Sequence, residues 1–322
     1  MVGIGIIGTN FISDWFVEAC RRGSGRLRPV AVLSRDPERG QEFARRGDVP
    51  RAFTELDDLI DAVDAVYVAS PTSAHHAQAM AAIEAGRHVL IEKTMVSSAA
   101  QAEEIFSAAE RRGVVAMEAA RHVHTPAFRA FARAIGELGT LRYAHLEMLQ
   151  YSSRYGRFLA GEHVNAFDPT LGNSALIDIG FYPLTAALAC FGTTPKGQTG
   201  GSFLLGNGFE AGGSIQLDYD GLLVDVAYSK IVAGASPCAV HGEEGTLTIN
   251  SVAEPSRIVR HRRGAEPEVI LDDPAVTPVD TMVHELEAFA DQVESGAVDP
   301  RWRDLSLAVR RIMDAHLAGP TG

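Results

Sequence analysis

Hydrophobic and polar positions along the first part of the chain follow two patterns in turn. Short apolar runs rich in β-branched residues begin near Val2, Pro29, Ala65, His88 and Val114. Between them lie stretches of roughly ten or more residues with apolar positions at helical spacing. Strands that alternate with helices in this way predict a parallel, doubly wound sheet with right-handed crossovers. Ligands of such a sheet bind beyond the carboxyl ends of its strands.

The hydrophobic pattern changes near residue 121. Apolar and polar residues tend to alternate over 141–148, as expected for a half-buried strand. The runs 215–219 and 222–228 flank Asp220-Gly221, which is a strong signal for a β-hairpin. The pattern therefore predicts a sheet in which neighbouring strands are mostly antiparallel.

Two helical patterns, over 281–294 and 304–317, close the chain. Because the strand pattern changes only once, we predict two domains. Residues 1–120 are expected to form the α/β domain with its doubly wound parallel sheet. Residues 121–322 are expected to form an α+β domain around a large, mostly antiparallel sheet with one open face.

The first predicted strand ends in a short turn, Gly8-Thr9-Asn10-Phe11-Ile12, after which a helical pattern begins at once. Strand, tight turn, helix and strand form the unit that places the pyrophosphate of a dinucleotide against a helix N-terminus. The turn departs from the usual Gly-x-Gly-x-x-Gly pattern, since the three positions hold Gly8, Asn10 and Ser13. Asn tolerates left-handed backbone angles and its amide can donate to a phosphate oxygen, so the turn still fits a cofactor. A plain strand-to-helix turn is the alternative.

Composition then narrows the possible functions. The formal charge of −12 argues against nucleic acid as a partner. A basic cluster at residues 257–263 is interpreted as an exposed edge strand. No apolar run approaches the ~18 residues of a membrane-spanning helix, and the N-terminus has no features of a signal peptide. The three cysteines form no CxxC pair, so we expect a cytoplasmic protein with no membrane partner.

Four motifs follow one another along the chain. They are the first turn at residues 3–13, Ser-Pro-Thr-Ser-Ala-His at 70–75, the segment 85–93 that ends in Glu-Lys, and an Asp-x-Gly-x-Tyr pattern within 172–183. Together they resemble the glucose–fructose oxidoreductase / inositol dehydrogenase / rhizopine catabolism (Gfo/Idh/MocA) family over nearly the whole chain. The resemblance implies a Rossmann domain for the cofactor, a second domain for the substrate, and a homodimer or larger homo-oligomer that covers the open sheet face.

The resemblance also implies a function. The protein would transfer a hydride between nicotinamide and a secondary alcohol or ketone of a sugar, polyol or diol. Tyr182 would transfer the hydroxyl proton with the assistance of Lys93, while Asp178 would orient the substrate. The residues expected to bind the cofactor lie at the ends of predicted strands: Gly8, Thr9, Asn10, Phe11, Ile12, Ser34, Arg35, Ser70, Pro71, Thr72, His75, Glu92 and Lys93.

Two residues after the second predicted strand bear on the choice of cofactor. NAD-binding units usually place an acidic residue there to bind the ribose 2′-hydroxyl, whereas this chain has Ser34 and Arg35. A guanidinium suits a 2′-phosphate, so we predict NADP. Asp36, one residue further on, keeps NAD as the second choice.

Two departures from the family pattern support an alternative function. Asn10 replaces a glycine of the cofactor loop, and Thr94 replaces the proline that usually follows the lysine. Both changes are compatible with a regulatory protein that binds a dinucleotide without turnover. No metal is expected, because no Cys, Asp or Glu cluster completes a site with His122 and His124.

Overall fold

The sheet of the first unit has six parallel strands, within the residues 1–319 that the computed structural model describes. They are β1 (Val2–Ile7), β2 (Leu27–Leu33), β3 (Arg51–Phe53), β4 (Ala65–Val68), β5 (His88–Glu92) and β6 (Ala116–Ala119). Their order is β3-β2-β1-β4-β5-β6, which is the doubly wound arrangement that the sequence pattern predicts.

Helices cover both faces of this sheet. They are α1 (Phe11–Arg22), α2 (Pro37–Gly47), α3 (Leu56–Asp61), α4 (Thr72–Glu84) and α5 (Ala99–Arg112). Successive residues of one strand enter opposite hydrophobic clusters, so that Tyr67 packs on one face and Val66 and Val68 pack on the other. Burial of both faces explains why these strands read as continuous apolar runs in the sequence.

The second unit is built around an eight-stranded sheet. Its strands are β7 (Leu141–Leu149), β8 (Gly197–Leu204), β9 (Glu210–Tyr219), β10 (Leu222–Ser229), β11 (Cys238–Gly242), β12 (Gly245–Ile249), β13 (Arg257–Arg262) and β14 (Glu268–Asp272). Their order is β14-β13-β12-β11-β7-β10-β9-β8. Only the pairing of β7 with β10 is parallel among these described strands, and the predicted hairpin joins β9 to β10 across Asp220-Gly221.

One face of the second sheet carries helices. The helices of this part of the chain are α6 (Pro126–Ile135), α7 (Tyr155–Leu159) and α8 (Phe181–Phe191), with short 3-10 segments at Arg121–His124, Asn165–Phe167 and Pro169–Leu171 and a π-helix at Leu176–Gly180. Helix α8 packs on β7 and β10, where Ala144, Leu146, Val224 and Val226 are fully buried. The alternate positions of these strands face away from α8.

The chain then returns to the first unit through α9 (Pro278–Ser295), followed by α10 (Pro300–Leu317). The first unit contains Met1–Arg121 and Thr277–Leu307, and the second contains His122–Val276 and residues 308–319. This differs from the expectation that residues 121–322 form one domain. The reason is that Leu286 and Phe289 of α9 are buried in the hydrophobic cluster of the first unit.

The basic cluster at residues 257–263 does not form an exposed edge, so that interpretation is wrong. Strand β13 lies between β12 and β14, and the Arg260 side chain is buried. Its guanidinium pairs with Glu137 and Glu268, which neutralise the positive charge. No helix within residues 1–319 combines the length and hydropathy needed to cross a membrane.

Candidate active site

Four turns at the carboxyl edge of the first unit's sheet carry the residues predicted to bind the cofactor. Their strands are parallel neighbours in the order β2-β1-β4-β5, so the turns lie side by side. The structure thereby brings together Gly8, Thr9, Asn10, Phe11 and Ile12 after β1, Ser34 and Arg35 after β2, Ser70, Pro71, Thr72 and His75 after β4, and Glu92 and Lys93 at the end of β5. Asp178 and Tyr182 belong to the second unit.

Gly8 lies where only glycine fits. Its φ angle of +112° falls in a region that residues with a side chain rarely adopt, and a Cβ atom there would lie 2.7 Å from the carbonyl oxygen of Ala69. The backbone of the first turn therefore packs directly against the turn after β4.

Asn10 has a different backbone conformation from the one expected. Its backbone is extended, with φ −92°, rather than left-handed. Its side-chain oxygen accepts hydrogen bonds from the backbone N–H groups of Ile12 and Ser13, at 3.1 and 3.3 Å, and its amide donates to the Ala69 carbonyl at 2.8 Å. Asn10 is thus the N-cap of α1 and joins two turns. The positive end of the α1 dipole remains directed at the carboxyl edge, where an anion is favoured.

His75 joins two further turns. Its ring is buried, with Nε2 2.7 Å from the Ser70 carbonyl oxygen and Nδ1 3.1 Å from that of Met95. Burial lowers the pKa of His75 below its ordinary value. The ring therefore connects the turns after β4 and β5.

The turn after β2 presents one exposed guanidinium. Arg35 is exposed, whereas the Asp36 side chain caps α2 by accepting hydrogen bonds from the backbone N–H groups of Glu38 and Arg39, at 3.0 and 3.2 Å. Ser34 donates its backbone N–H to Phe53. The Asp36 carboxylate, which could otherwise bind a ribose hydroxyl, therefore caps the N-terminus of α2.

Buried carboxyl groups hold the turn that contains Lys93. The Glu92 side chain accepts a hydrogen bond from the Lys93 backbone N–H at 3.2 Å and another from the Tyr67 hydroxyl. Glu118 accepts from the Met95 backbone N–H at 2.7 Å, and the Lys93–Thr94 peptide bond is cis. Burial raises the pKa of Glu92. The lysine backbone is thus fixed from beneath by carboxyl groups on β5 and β6.

Glu285 is a buried acid that the sequence reasoning missed. It lies on α9 with no solvent exposure, and neither carboxyl oxygen has a hydrogen-bond partner among the residues that the structure describes. Burial, and then the nearby Glu92, raise the pKa of Glu285 well above its ordinary value. The signal was available, because Met282, Glu285, Leu286 and Phe289 share one helical face.

The second unit holds the two other predicted catalytic residues at a helix junction. Asp178 lies in the π-helix Leu176–Gly180, and Tyr182 lies in the first turn of α8. The Tyr182 ring is buried and lies 5.1 Å from the His122 ring in an edge arrangement. Between Asp178 and Tyr182, position 180 requires glycine, because a Cβ atom there would lie 2.9 Å from the Tyr228 ring. π-Helical turns are rare and often occur at functional sites.

Lys230 is a second residue that the sequence reasoning missed. Its ammonium lies 2.8 Å from the Asp178 carboxylate. The signal was that this chain has only three lysines among its 29 lysine and arginine residues, and one of them follows the apolar strand β10 directly. Across residues 1–319, no group of three or more His, Cys, Asp and Glu side chains is arranged to hold a metal ion.

Comparisons with known proteins identify the family. The family model GFO_IDH_MocA, described as an oxidoreductase family with an NAD-binding Rossmann fold, matches residues 2–120. The model for the GFO/IDH/MocA C-terminal domain matches residues 132–248. The chain belongs to the GFO/IDH/MocA oxidoreductase family. The family resemblance, the fold class and the enzyme class predicted from the sequence are thereby confirmed.

Individual members of the GFO/IDH/MocA family align over most of the chain. It is 35% identical over 319 residues to the scyllo-inositol 2-dehydrogenase (NADP(+)) IolU of Bacillus subtilis (strain 168). This alignment covers 98% of this chain and 95% of the relative. It is 30% identical to the D-xylose 1-dehydrogenase (NADP(+)) 2 of Haloferax volcanii, over 89% of this chain and 87% of the relative. Among solved structures, KijD10, a 3-ketoreductase from Actinomadura kijaniata in complex with NADP and TDP-benzene, superposes with a TM-score of 0.85 at 26% identity, covering 99% and 97% of the two chains.

The buried Glu285 gives a prediction about stability. The pKa of Glu285 is raised in the folded protein. Its carboxyl group therefore contributes most to the free energy of unfolding below the unfolded pKa of about 4.3, and this contribution is lost as the pH rises. Glu285→Gln removes this dependence. The free energy of unfolding of the variant should therefore exceed that of wild type increasingly above pH 5, by up to about 1.4 kcal/mol per pH unit.

Urea unfolding at pH 4.5, 6 and 8 measures this difference. Glu110→Gln, on the exposed side of α5, is the matched control and should leave the pH dependence of wild type unchanged. Parallel pH curves for wild type and Glu285→Gln would show that the Glu285 carboxyl does not stay protonated in the folded protein.

Proposed function

We propose that this oxidoreductase uses NADP to transfer a hydride between the nicotinamide ring and a secondary alcohol or ketone of a sugar, polyol or diol. The observation that carries the proposal is the carboxyl edge of the first unit's sheet, where Lys93 directly follows β5 beside turns suited to a dinucleotide. Two relatives are named as NADP(+) dehydrogenases of an inositol and of a pentose, and the solved neighbour is a 3-ketoreductase in complex with NADP. These names support the same chemistry here.

The proposed roles follow from the chemistry of each side chain. NADP, when bound, would supply the hydride chemistry. Tyr182 transfers the hydroxyl proton of the substrate, and the Lys93 ammonium stabilises the oxygen as negative charge develops on it. Asp178 accepts a hydrogen bond that orients the substrate. In this proposal the first unit binds the cofactor, and the second unit binds the substrate.

Three features of the first unit fit NADP. The N-terminus of α1 suits the pyrophosphate, and Gly8 allows a close backbone approach at the first turn. Arg35 is an exposed guanidinium after β2, where the 2′-phosphate would lie, while Asp36 is used as the cap of α2. NADP, rather than NAD, is therefore the proposed cofactor.

We also propose a homo-oligomer that covers the open face of the second sheet, in the cytoplasm. Tyr143 on β7 and Leu223 on β10 are 38% and 43% exposed. They pair in register on neighbouring strands, so two large side chains lie side by side and partly exposed on this face. The free cysteines Cys20, Cys190 and Cys238 support a reducing compartment.

The catalytic roles predict the effect of two substitutions. Lys93→Ala and Tyr182→Phe should each lower turnover by about a hundredfold or more, because each removes a group that acts on the proton or the developing charge. The stabilisation of either variant by NADP in thermal unfolding should remain close to that of wild type. Absorbance at 340 nm, with scyllo-inositol, D-xylose and trans-1,2-dihydrobenzene-1,2-diol as trial substrates, measures turnover.

Lys196→Ala is the control for loss of a lysine, since Lys196 is an exposed residue paired with Asp220. Turnover within twofold of wild type in both Lys93→Ala and Tyr182→Phe would reject the catalytic assignment. Tight NADP binding without turnover of any trial substrate by wild type would favour the regulatory alternative.

The cofactor proposal predicts which dinucleotide stabilises the protein. NADP at 100 times its dissociation constant should add about 2.7 kcal/mol to the free energy of unfolding, which raises the melting temperature by several degrees. Arg35→Ala should remove most of this effect at the same NADP concentration and leave any effect of NAD unchanged. Arg39→Ala, on the exposed surface of α2, is the control. Stabilisation by NAD alone would contradict the proposal and would assign the ribose contact to Asp36 instead of Arg35.

The oligomer is tested by light scattering. Wild type should have the mass of a dimer or a multiple of it, and Tyr143→Arg should shift the distribution towards monomer, because a charge at the centre of the covered surface is unfavourable. Leu317→Arg places the same charge at an exposed position near the end of α10 and should have no such effect. A monomeric wild type would contradict the proposal.

A further inference from the structure

We propose that Lys230 is a positioning residue for the reaction, which holds the Asp178 carboxylate oriented so that it accepts a hydrogen bond from a hydroxyl group of the substrate. This inference rests on the proposed function, because it assigns a partner to the Asp178 side chain that orients the substrate. It also specifies the chemical class that this side chain recognises, a hydrogen-bond donor.

The position of Lys230 is fixed by its backbone. Its N–H donates to the Ala211 carbonyl on β9, and its own carbonyl accepts from the Ser152 N–H at 2.9 Å. The lysine therefore continues the sheet directly after β10 and is held from both sides. Because the Cα position cannot move freely, the direction of the side chain is set by the fold.

The ammonium group is surrounded by groups that favour a positive charge. It lies 2.8 Å from Asp178 Oδ2 and 3.1 Å from the Ala166 carbonyl oxygen, to which it donates. The ring centres of Phe167 and Phe209 lie 5.2 and 5.6 Å from Nζ, within the range of cation–π attraction. The Lys230 side chain is only 8% exposed, so solvent screens these contacts weakly.

Asp178 is much more accessible than its partner. Its side chain is 48% exposed, so a substrate can reach the carboxylate even though Lys230 is buried behind it. An ionised carboxylate only accepts hydrogen bonds, whereas a protonated one also donates. A nearby cation favours the ionised form. The pair therefore selects a substrate group that donates, such as a hydroxyl, and leaves the transfer of the reacting proton to another residue.

The kinetic test compares four variants on the trial substrate that wild type turns over best. Lys230→Met should raise KM by about tenfold or more and change kcat little, because a charge-assisted contact that orients the bound substrate is weakened. Lys230→Arg should restore much of the affinity, and Asp178→Asn should raise KM at least as much as Lys230→Met. Lys196→Met, which removes an exposed lysine of an ion pair, should match wild type.

Unfolding in urea tests the pair without any substrate. Asp178→Asn leaves the buried Lys230 ammonium without its anion, so it should lower the unfolding midpoint more than Lys230→Met, which leaves a half-exposed carboxylate. The unfolding midpoint of the double variant should lie close to that of Lys230→Met, because the effects of two substitutions are not additive when the groups interact.

These results separate the inference from the proposed function. If wild type turns over a trial substrate while Lys230→Met keeps the wild-type KM, the inference fails and the proposed function stands. If wild type turns over none of the trial substrates, the proposed function fails. Additive effects of the two substitutions on the unfolding midpoint would overturn the role of Lys230 in either case, and a non-additive pair together with the raised KM would establish it.

Discussion

The arrangement of turns at the carboxyl edge of the first unit's sheet depends on one constraint, the parallel pairing of β1, β2, β4 and β5. Both faces of these strands are buried, so a shift of register by one residue would move each side chain into the opposite hydrophobic cluster and disrupt the packing on both faces. The fixed register brings four turns to one edge. Short contacts between the turns then add precision: Gly8 allows backbone to meet backbone, Asn10 joins the first turn to the third, and His75 joins the third to the fourth.

Buried charged and polar groups contact the predicted catalytic residues, or the turn that carries one, in both units. Glu92 and Glu118 fix the turn that carries Lys93, and Lys230 fixes Asp178. Such groups are unfavourable in a protein interior unless they are paired or neutral. Their presence beneath the predicted catalytic residues is consistent with the rule that local physical preferences are broken mainly where function requires it.

The two departures from the family pattern have different structural consequences. Asn10 keeps the first turn intact because its side chain caps α1 and binds the neighbouring turn, so the loss of a glycine is offset locally. Thr94 is buried in a turn that hydrogen bonds to Glu92 and Glu118 hold. Neither change removes the arrangement of the four turns, which weakens the argument for a protein without turnover.

The sequence by itself determined the elements, the two kinds of sheet and the four motif positions, because apolar spacing, the Asp220-Gly221 turn and motif order are local properties of the chain. Only the tertiary structure decided which unit α9 packs against, that Arg260 is buried, and that Lys230 pairs with Asp178. Periodicity shows that a helix or strand has an apolar face, but it does not show what covers that face. Likewise, the charge of a side chain is visible in the sequence, whereas its partner depends on contacts between segments far apart along the chain.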